Sequence, residues 1–263
     1  MSEHPIAARW RALGGRQGDQ EKALIPYVTA GFPTPAVSRD VLRAAQASGA
    51  DFIEVGVPFS DPLADGPTIQ RTTQAALEQG MTAAGVLALI RDAALAVPVI
   101  IMTYLNPVLA YGVERFVADA HAAGAAGLLL TDLPAGADPA VEAAVSGSPL
   151  ALIRLVAPTT DDQRLSASVA GAKGFVYLIS RLGVTGARDQ VPADLEHHVR
   201  RVRAATQLPV AVGFGIGTAA QAAAAARYAD GVVVGSALMD VLARDGVAGA
   251  ERLIRDLAAA VHA

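Results

Sequence analysis

The stretch that decides the fold runs from Asp51 to Pro67 and reads DFIEVGVPFSDPLADGP. Its first half is apolar and rich in β-formers, while its second half is broken by prolines and a glycine, so a strand followed by a loop is predicted. Side chains alternate between the two faces of a strand, which puts Phe52 and Glu54 on the same face. If both faces are covered, Glu54 lies in a packed interior, where a carboxylate is costly unless it is paired, protonated or functional.

A second carboxylate, Asp65, follows on the loop, eleven positions after Glu54. One carboxylate on a rigid strand and one on a movable loop together indicate acid/base chemistry. The structural alternative is that Glu54 pairs with a buried arginine while Asp65 caps the helix that begins near Pro67. The stretch taken alone leaves both interpretations open.

Strand and helix patterns alternate along the rest of the chain, which is typical of βα units and a parallel sheet. About eight such units fit into the 263 residues, so the sequence predicts an α/β fold, a single (β/α)8 TIM barrel domain over residues 1–263. An extra N-terminal helix (residues 6–13) and extra helices after strands two and eight are expected. An open doubly wound sheet is the alternative, but residues 31–33 do not form the glycine-rich turn it needs after its first strand.

Composition limits the classes of function. The chain is 52% hydrophobic and 17% charged, has a formal net charge of −4 and contains no cysteine. These values argue against disorder and nucleic-acid binding, and they exclude disulfides and thiolate metal sites. No secretory signal is recognisable, and the most apolar run, residues 95–109, is shorter than the ~20 residues of a membrane-spanning helix. A cytoplasmic protein that does not enter a membrane is therefore expected. No metal site is expected either, because the five histidines are scattered along the chain.

Three glycine-containing segments lie where a barrel of this kind binds substrate. The active site of such barrels lies at the carboxyl ends of the strands, and phosphate is often held after strands seven and eight. Glycines let the backbone approach an anion, and the N–H groups at a helix start attract it. Tight turns or a surface loop are the alternative for each segment, but their joint placement favours phosphate binding. The candidate residues are Thr185 and Gly186 after strand six, Gly213, Phe214, Gly215 and Ile216 after strand seven, and Gly235 and Ser236 after strand eight.

Aromatic and apolar side chains near the strand tops are candidates for the wall of a pocket. Tyr177 on strand six is either a core residue with its hydroxyl at the rim or a functional residue. For the other candidates, a place in the hydrophobic core is the alternative interpretation. They are Tyr27, Met102, Leu129 and Phe214.

The residues above carry a resemblance to the tryptophan synthase α subunit family. The chain resembles that family in LIPYVTAG from residue 24 and in EVGVPFSDPLADGP from residue 54. Shorter matches follow in the expected order across nearly the whole chain: MTY at 102–104, NP at 106–107, DLP at 132–134, APTT at 157–160, GVTG at 183–186 and GFGI at 213–216. The long block from residue 54 is highly specific, whereas the glycine pairs are shared with many phosphate-binding barrels.

The resemblance implies a lyase that cleaves indole-3-glycerol phosphate to indole and glyceraldehyde 3-phosphate by a retro-aldol reaction in tryptophan biosynthesis. It implies Glu54 as the principal acid/base, Asp65 as its partner at the indole nitrogen, Tyr177 as a further catalytic residue, and the pocket and phosphate residues named above as binding residues. One departure is Gly217, where the family more often has Ser or Ala, although Thr218 can still cap the following helix.

The resemblance also implies a partner. It implies no cofactor in this chain, but a β subunit that holds pyridoxal phosphate and completes an α2β2 complex. The implied docking surface consists of the loops at 58–65, 106–107 and 132–134. Two alternatives remain: a stand-alone indole-releasing lyase, and a catalytically silent barrel kept as an interaction subunit. Retention of Glu54, Asp65 and the glycine segments argues against silence.

Overall fold

The computed structural model describes residues 3–14, 21–179, 194–213 and 215–263. At its centre eight parallel strands form a closed barrel in sequential order, because the first strand pairs with both the second and the eighth. The predicted (β/α)8 barrel is therefore confirmed. The strands are β1 (Ala23–Thr29), β2 (Ile53–Gly56), β3 (Val99–Thr103), β4 (Ala125–Leu130), β5 (Ala151–Val156), β6 (Val176–Ile179), β7 (Val210–Gly213) and β8 (Gly231–Val234).

Helices alternate with these strands and cover the outside of the barrel. They are α1 (Pro5–Ala12), α2 (Pro35–Ala47), α3 (Pro67–Glu78), α4 (Ala83–Ala93), α5 (Leu105–Tyr111), α6 (Val113–Ala122), α7 (Pro139–Ser146), α8 (Asp162–Ser168), α9 (Leu195–Ala205), α10 (Ala219–Ala226) and α11 (Ser236–Val261). The extra helices at the N terminus, after β2 and after β8 are confirmed. The last of these is kinked at Gly246, which has a φ of 65°.

One helix was missed by the sequence pattern. Two helices, α5 and α6, follow β3, where strand–helix alternation predicts one. Asn106-Pro107 reads as a turn signal, yet Pro107 is the third residue of α5, where the missing N–H has no helical partner to lose. The predicted cap of α10 is confirmed, because Thr218 accepts a hydrogen bond from the backbone N–H of Gln221.

The N-terminal helix α1 closes the barrel at the amino ends of its strands. The Trp10 ring lies 4.9 Å from Phe52 and 5.9 Å from Phe175, measured between centroids. Three glycines make room for this helix, because a Cβ atom added at any of them would lie too close to a side-chain atom of Ile6 or Trp10. Those distances are 3.0 Å for Gly127, 3.0 Å for Gly174 and 2.9 Å for Gly231.

A buried carboxylate joins the two ends of the chain at this same side of the barrel. Asp51 is 1% exposed and accepts hydrogen bonds from the Leu24 backbone N–H at 2.7 Å and from His262 Nε2 at 2.9 Å. It also pairs with the guanidinium of Arg9 on α1. Within the described ranges, no helix has both the length and the apolar character needed to cross a membrane.

Candidate active site

Glu54 lies near the carboxyl end of β2, 2% exposed, with its strand neighbours Tyr27 on β1 and Ile100 on β3. Phe52, two residues earlier, belongs to the cluster of apolar side chains inside the barrel, as strand alternation predicts. Above that cluster is a cavity of about 460 Å³, part of it open to solvent. It is lined by Tyr27, Glu54, Asp65, Gly66, Ile69, Met102, Tyr177, Val233, Gly235 and Ser236.

Burial makes Glu54 a weak acid. Removal from water raises the pKa of Glu54 to about 8, and the nearby charge of Asp65 adds to the effect. Among the described residues Glu54 forms no ion pair, and the buried Arg154 instead pairs with Glu142 at 2.5 Å. No described arginine therefore serves as the partner of Glu54, and its raised pKa keeps the carboxyl protonated at neutral pH.

Asp65, on the loop between β2 and α3, titrates lower than Glu54. Burial raises the pKa of Asp65 to about 6, while a hydrogen bond from the Tyr104 hydroxyl opposes the rise. The alternative role of Asp65 as a helix cap is wrong, because Gly66 occupies the N-cap position of α3 and no side chain caps it. Near neutral pH the cavity thus holds one protonated and one ionised carboxyl group.

Tyr104, for which the sequence predicts no role, holds the Asp65 loop. Its hydroxyl accepts a hydrogen bond from the Ala64 backbone N–H at 2.9 Å and also bonds to Asp65. Its ring packs on Phe59, with centroids 5.3 Å apart. Tyr104 directly follows β3, so its place at a strand top was the signal available in the sequence.

The segment after β8 opens onto the cavity. Ser236 is the first residue of α11, and the N-cap residue Gly235 provides no side-chain cap. The backbone N–H groups of this first turn are therefore available to an anion and carry partial positive charge. Gly235 and Ser236 both line the cavity, as a phosphate site requires.

The segment after β7 has a different relation to the cavity. The phenol of Tyr177 lies against Gly213, where an added Cβ would be 2.1 Å from its hydroxyl oxygen, so this glycine makes room for a tyrosine. Gly215 is exposed with a φ of 81°, and Ile216 is buried outside the barrel sheet. None of these three lines the cavity. Phe214, Thr185 and Gly186 lie outside the described residues.

The predicted indole pocket is partly assembled. Tyr27 and Met102 line the cavity together with Tyr177. Leu129 points into the barrel but is fully buried and is not among the described lining residues. The side chains of Ile69 and Val233, which sequence analysis did not select, provide apolar wall instead. Within the described part of the chain, no group of three or more His, Cys, Asp or Glu residues could hold a metal ion.

Comparison with known proteins gives a consistent result. A family model described as "Tryptophan synthase alpha chain" matches residues 15–262. A tryptophan synthase alpha chain from Acidiphilium cryptum is 49% identical over 90% of this chain and 87% of its own length. One from Gluconacetobacter diazotrophicus is 48% identical over 96% of this chain and 94% of its own.

Solved structures agree. A chain of Mycobacterium tuberculosis tryptophan synthase is 42% identical, with a TM-score of 0.89 over 98% of this chain and 97% of that one. The tryptophan synthase subunit alpha of Legionella pneumophila is 33% identical, with a TM-score of 0.88 over 99% of both chains.

Proposed function

This chain belongs to the tryptophan synthase alpha chain family, and we propose that Glu54 and Asp65 are the acid/base pair of its reaction. It is a carbon–carbon lyase of tryptophan biosynthesis that cleaves indole-3-glycerol phosphate to indole and glyceraldehyde 3-phosphate. The observation that carries the assignment is the single cavity that joins both carboxyl groups to the start of α11.

The reaction needs a proton donor and a proton acceptor. Protonation of the indole ring at C3 turns the ring into an electron sink, and the electrons of the breaking carbon–carbon bond then return to it. The hydroxyl on the neighbouring chain carbon loses its proton as that carbon becomes an aldehyde. Glu54, protonated because its pKa is about 8, gives the first proton and as a carboxylate takes the second. The ionised Asp65 stabilises the positive charge that develops at the indole nitrogen.

The phosphate of the substrate is proposed to lie at the start of α11. Free N–H groups and the helix dipole favour an anion beside Gly235 and Ser236. Thr185, Gly186, Phe214 and the exposed Gly215 are proposed to complete the phosphate site, and Tyr27, Met102 and Phe214 to contact the indole. Gly213, Ile216 and Leu129 are not retained as contacts, because Gly213 accommodates the Tyr177 ring and the other two are buried away from the cavity. Tyr177, buried beside Glu54, is proposed to act with the carboxyl pair.

A Glu54→Gln substitution tests the acid/base assignment. It keeps the side-chain shape and removes the titrating group, so kcat is expected to fall by about 10²–10⁴-fold. Affinity for indole-3-propanol phosphate, an unreactive analogue without chain hydroxyls, should stay within about threefold, because shape and phosphate contacts persist. Glu114→Gln, an exposed carboxylate on α6, is the matched control and should match wild type. Wild-type turnover in the Glu54 variant would remove Glu54 from the chemistry.

We also propose that the chain acts as an α subunit with a β partner that holds pyridoxal phosphate, in a cytoplasmic α2β2 complex. Leu63, in the implied docking loop at 58–65, is 94% exposed, and Leu109, on α5 two residues after the segment at 106–107, is 47% exposed. Residues of the same loops, Pro58, Phe59 and Pro107, line part of a groove of about 950 Å³. Exposed apolar side chains around a groove favour a protein interface.

Indole release, measured with and without an added tryptophan synthase β subunit, tests this partnership. The rate is expected to rise strongly with the partner, and Leu109→Asp should reduce the rise without changing the rate of the isolated chain. Equal rates with and without the partner would favour a stand-alone lyase. Light scattering of the mixture separates an α2β2 assembly from a one-to-one pair.

A further inference from the structure

Tyr27 contributes more to the cavity than an apolar ring. It is 6% exposed, lines the cavity and lies beside Glu54 in the strand register. Its phenol rests on Gly56, where an added Cβ would be 2.1 Å from the hydroxyl oxygen. The missing side chain at Gly56 thus allows the Tyr27 hydroxyl to reach the top of β2, next to Glu54.

The hydroxyl oxygen of Tyr27 is positioned by a contact with the Thr29 side chain. Thr29, fully buried, donates a hydrogen bond to it at 3.4 Å. Thr29 is itself fixed by the Thr72 hydroxyl on α3 at 2.8 Å and, through its backbone N–H, by the sulfur of Met239 on α11 at 3.4 Å. The tyrosine is therefore oriented by the helix that follows the Asp65 loop and by the helix that begins at the proposed phosphate site.

The phenolic hydroxyl of Tyr27 is only weakly held by the protein. Its contact with Thr29 is long, at 3.4 Å, whereas Thr29 has a closer partner in Thr72 at 2.8 Å. A tyrosine hydroxyl has one proton to donate, and Tyr27 lines the cavity into which that proton can be offered. Burial, and then the charges of Asp65 and Glu54, raise the pKa of Tyr27 well above its usual range, so the proton stays in place. Because Tyr27 lines the cavity beside Glu54, an oxygen atom of a bound ligand can accept a hydrogen bond from this hydroxyl.

We propose that the Tyr27 hydroxyl donates a hydrogen bond to the substrate hydroxyl oxygen that becomes the aldehyde oxygen when the carbon–carbon bond breaks. This inference deepens the proposed function and rests on it. The proton of that substrate hydroxyl passes to Glu54, while Tyr27 keeps its own proton and stabilises the charge that develops on the oxygen. Tyr27 thereby acts as a catalytic residue and selects a substrate that carries the hydroxyl.

Tyr27→Phe tests the proposal, because it keeps the ring on Gly56 and removes only the hydroxyl. The value of kcat/KM for indole-3-glycerol phosphate is expected to fall about tenfold, the loss typical of one hydrogen bond. Affinity for indole-3-propanol phosphate should change less than about twofold, because that analogue lacks the oxygen in question. Tyr228→Phe, which removes a hydroxyl from a residue that does not line the cavity, is the control and should match wild type.

Two results would overturn the proposal. One is a Tyr27→Phe enzyme with kcat/KM within about twofold of wild type. The other is an equal loss of affinity for the hydroxyl-free analogue, which would make the hydroxyl a support of the pocket alone. An inactive Glu54→Gln enzyme beside a normal Tyr27→Phe enzyme would refute only the role of Tyr27, whereas an active Glu54→Gln enzyme would refute the acid/base assignment itself.

Discussion

At the scale of single residues, Glu54 links chemistry to stability. Its pKa in the folded chain is about 8, against 4.5 for a free carboxyl of this type. Between these values the folded state holds a proton that the unfolded state has lost, so the contribution of Glu54 to the free energy of unfolding falls as pH rises through this window. The residue that suits the reaction therefore destabilises the fold at alkaline pH.

Glu54→Gln should remove this penalty. Relative to wild type, the variant is expected to gain stability as pH rises from about 5 to about 8.5, because glutamine has no charged form to bury. The melting temperatures of both proteins at these two pH values measure the gain. Glu114→Gln is the control and should show no such trend. A difference between Glu54→Gln and wild type that does not change with pH would contradict the raised pKa.

The sequence predicted some residue-scale features and could not predict others. Strand alternation correctly placed Phe52 and Glu54 on the same face. The seating of Tyr27 on Gly56 and of Tyr177 on Gly213 was not predictable, because it depends on the distance between neighbouring strand tops. The order of the two carboxyl pKa values likewise depends on burial, which only the folded chain defines.

At the scale of elements, Tyr104 at the top of β3 controls the loop between β2 and α3. Tyr104→Phe removes the hydroxyl that bonds to the Ala64 backbone and to Asp65. The bond to Asp65 lowers its pKa, so the variant should show a higher apparent pKa in the acid limb of kcat/KM, with several-fold lower activity near neutral pH. Tyr111→Phe, which loses hydroxyl contacts with Asp119 and Arg115 on α6 and none with Asp65, is the control. An unchanged acid limb in Tyr104→Phe would show that Tyr104 does not tune Asp65.

Helix α1 is expected to carry a large share of the stability of the barrel. Trp10→Ala removes a ring that packs on Phe52 and Phe175, and truncation of a buried tryptophan costs about 3–5 kcal/mol. Denaturant unfolding followed by circular dichroism measures the change, since Trp10 is the only tryptophan. Arg11→Ala, an exposed change on the same helix, should cost less than about 1 kcal/mol. An equally small cost for Trp10→Ala would mean that α1 is not part of the barrel core.

Elements were largely predictable from periodicity and from glycine and proline positions. The predicted alternation of eight strands with helices, and the extra helices at the N terminus and after β2 and β8, are all observed. The exceptions have local causes. Helix α5 was missed because Pro107 in its first turn resembles a turn signal. The N-cap of α3 is Gly66, whereas the structural alternative placed Asp65 there.

At the scale of the whole molecule, barrel closure brings distant parts of the sequence to one cavity. Because β1 pairs with both β2 and β8, Glu54 and Ser236 line the same space. The sequence predicted that these two residues lie at one cavity, because it predicted eight βα units. Eight units close a barrel, and closure brings the loops after its early and late strands to that cavity. The buried Asp51 cluster, which fastens α1 and His262 to the barrel, left no pattern in the sequence, since its members come from both ends of the chain.

That residues 1–263 form one domain stays a prediction. A barrel closed by its first and last strands should unfold in a single cooperative transition, with the same midpoint by circular dichroism and by tryptophan fluorescence. Two separated transitions would contradict a single domain.

The pH dependence of kcat/KM for indole-3-glycerol phosphate tests most directly whether Glu54 and Asp65 work in opposite protonation states. Activity requires an ionised Asp65 and a protonated Glu54, so kcat/KM should rise with an apparent pKa of about 6 and fall with an apparent pKa of about 8. Asp65→Asn should lose the acid limb and shift the alkaline limb to lower pH, because the charge of Asp65 no longer helps to raise the pKa of Glu54. A wild-type profile that stays flat over this range, or one that still rises above about pH 8, would contradict the pairing of an acid Glu54 with an ionised Asp65.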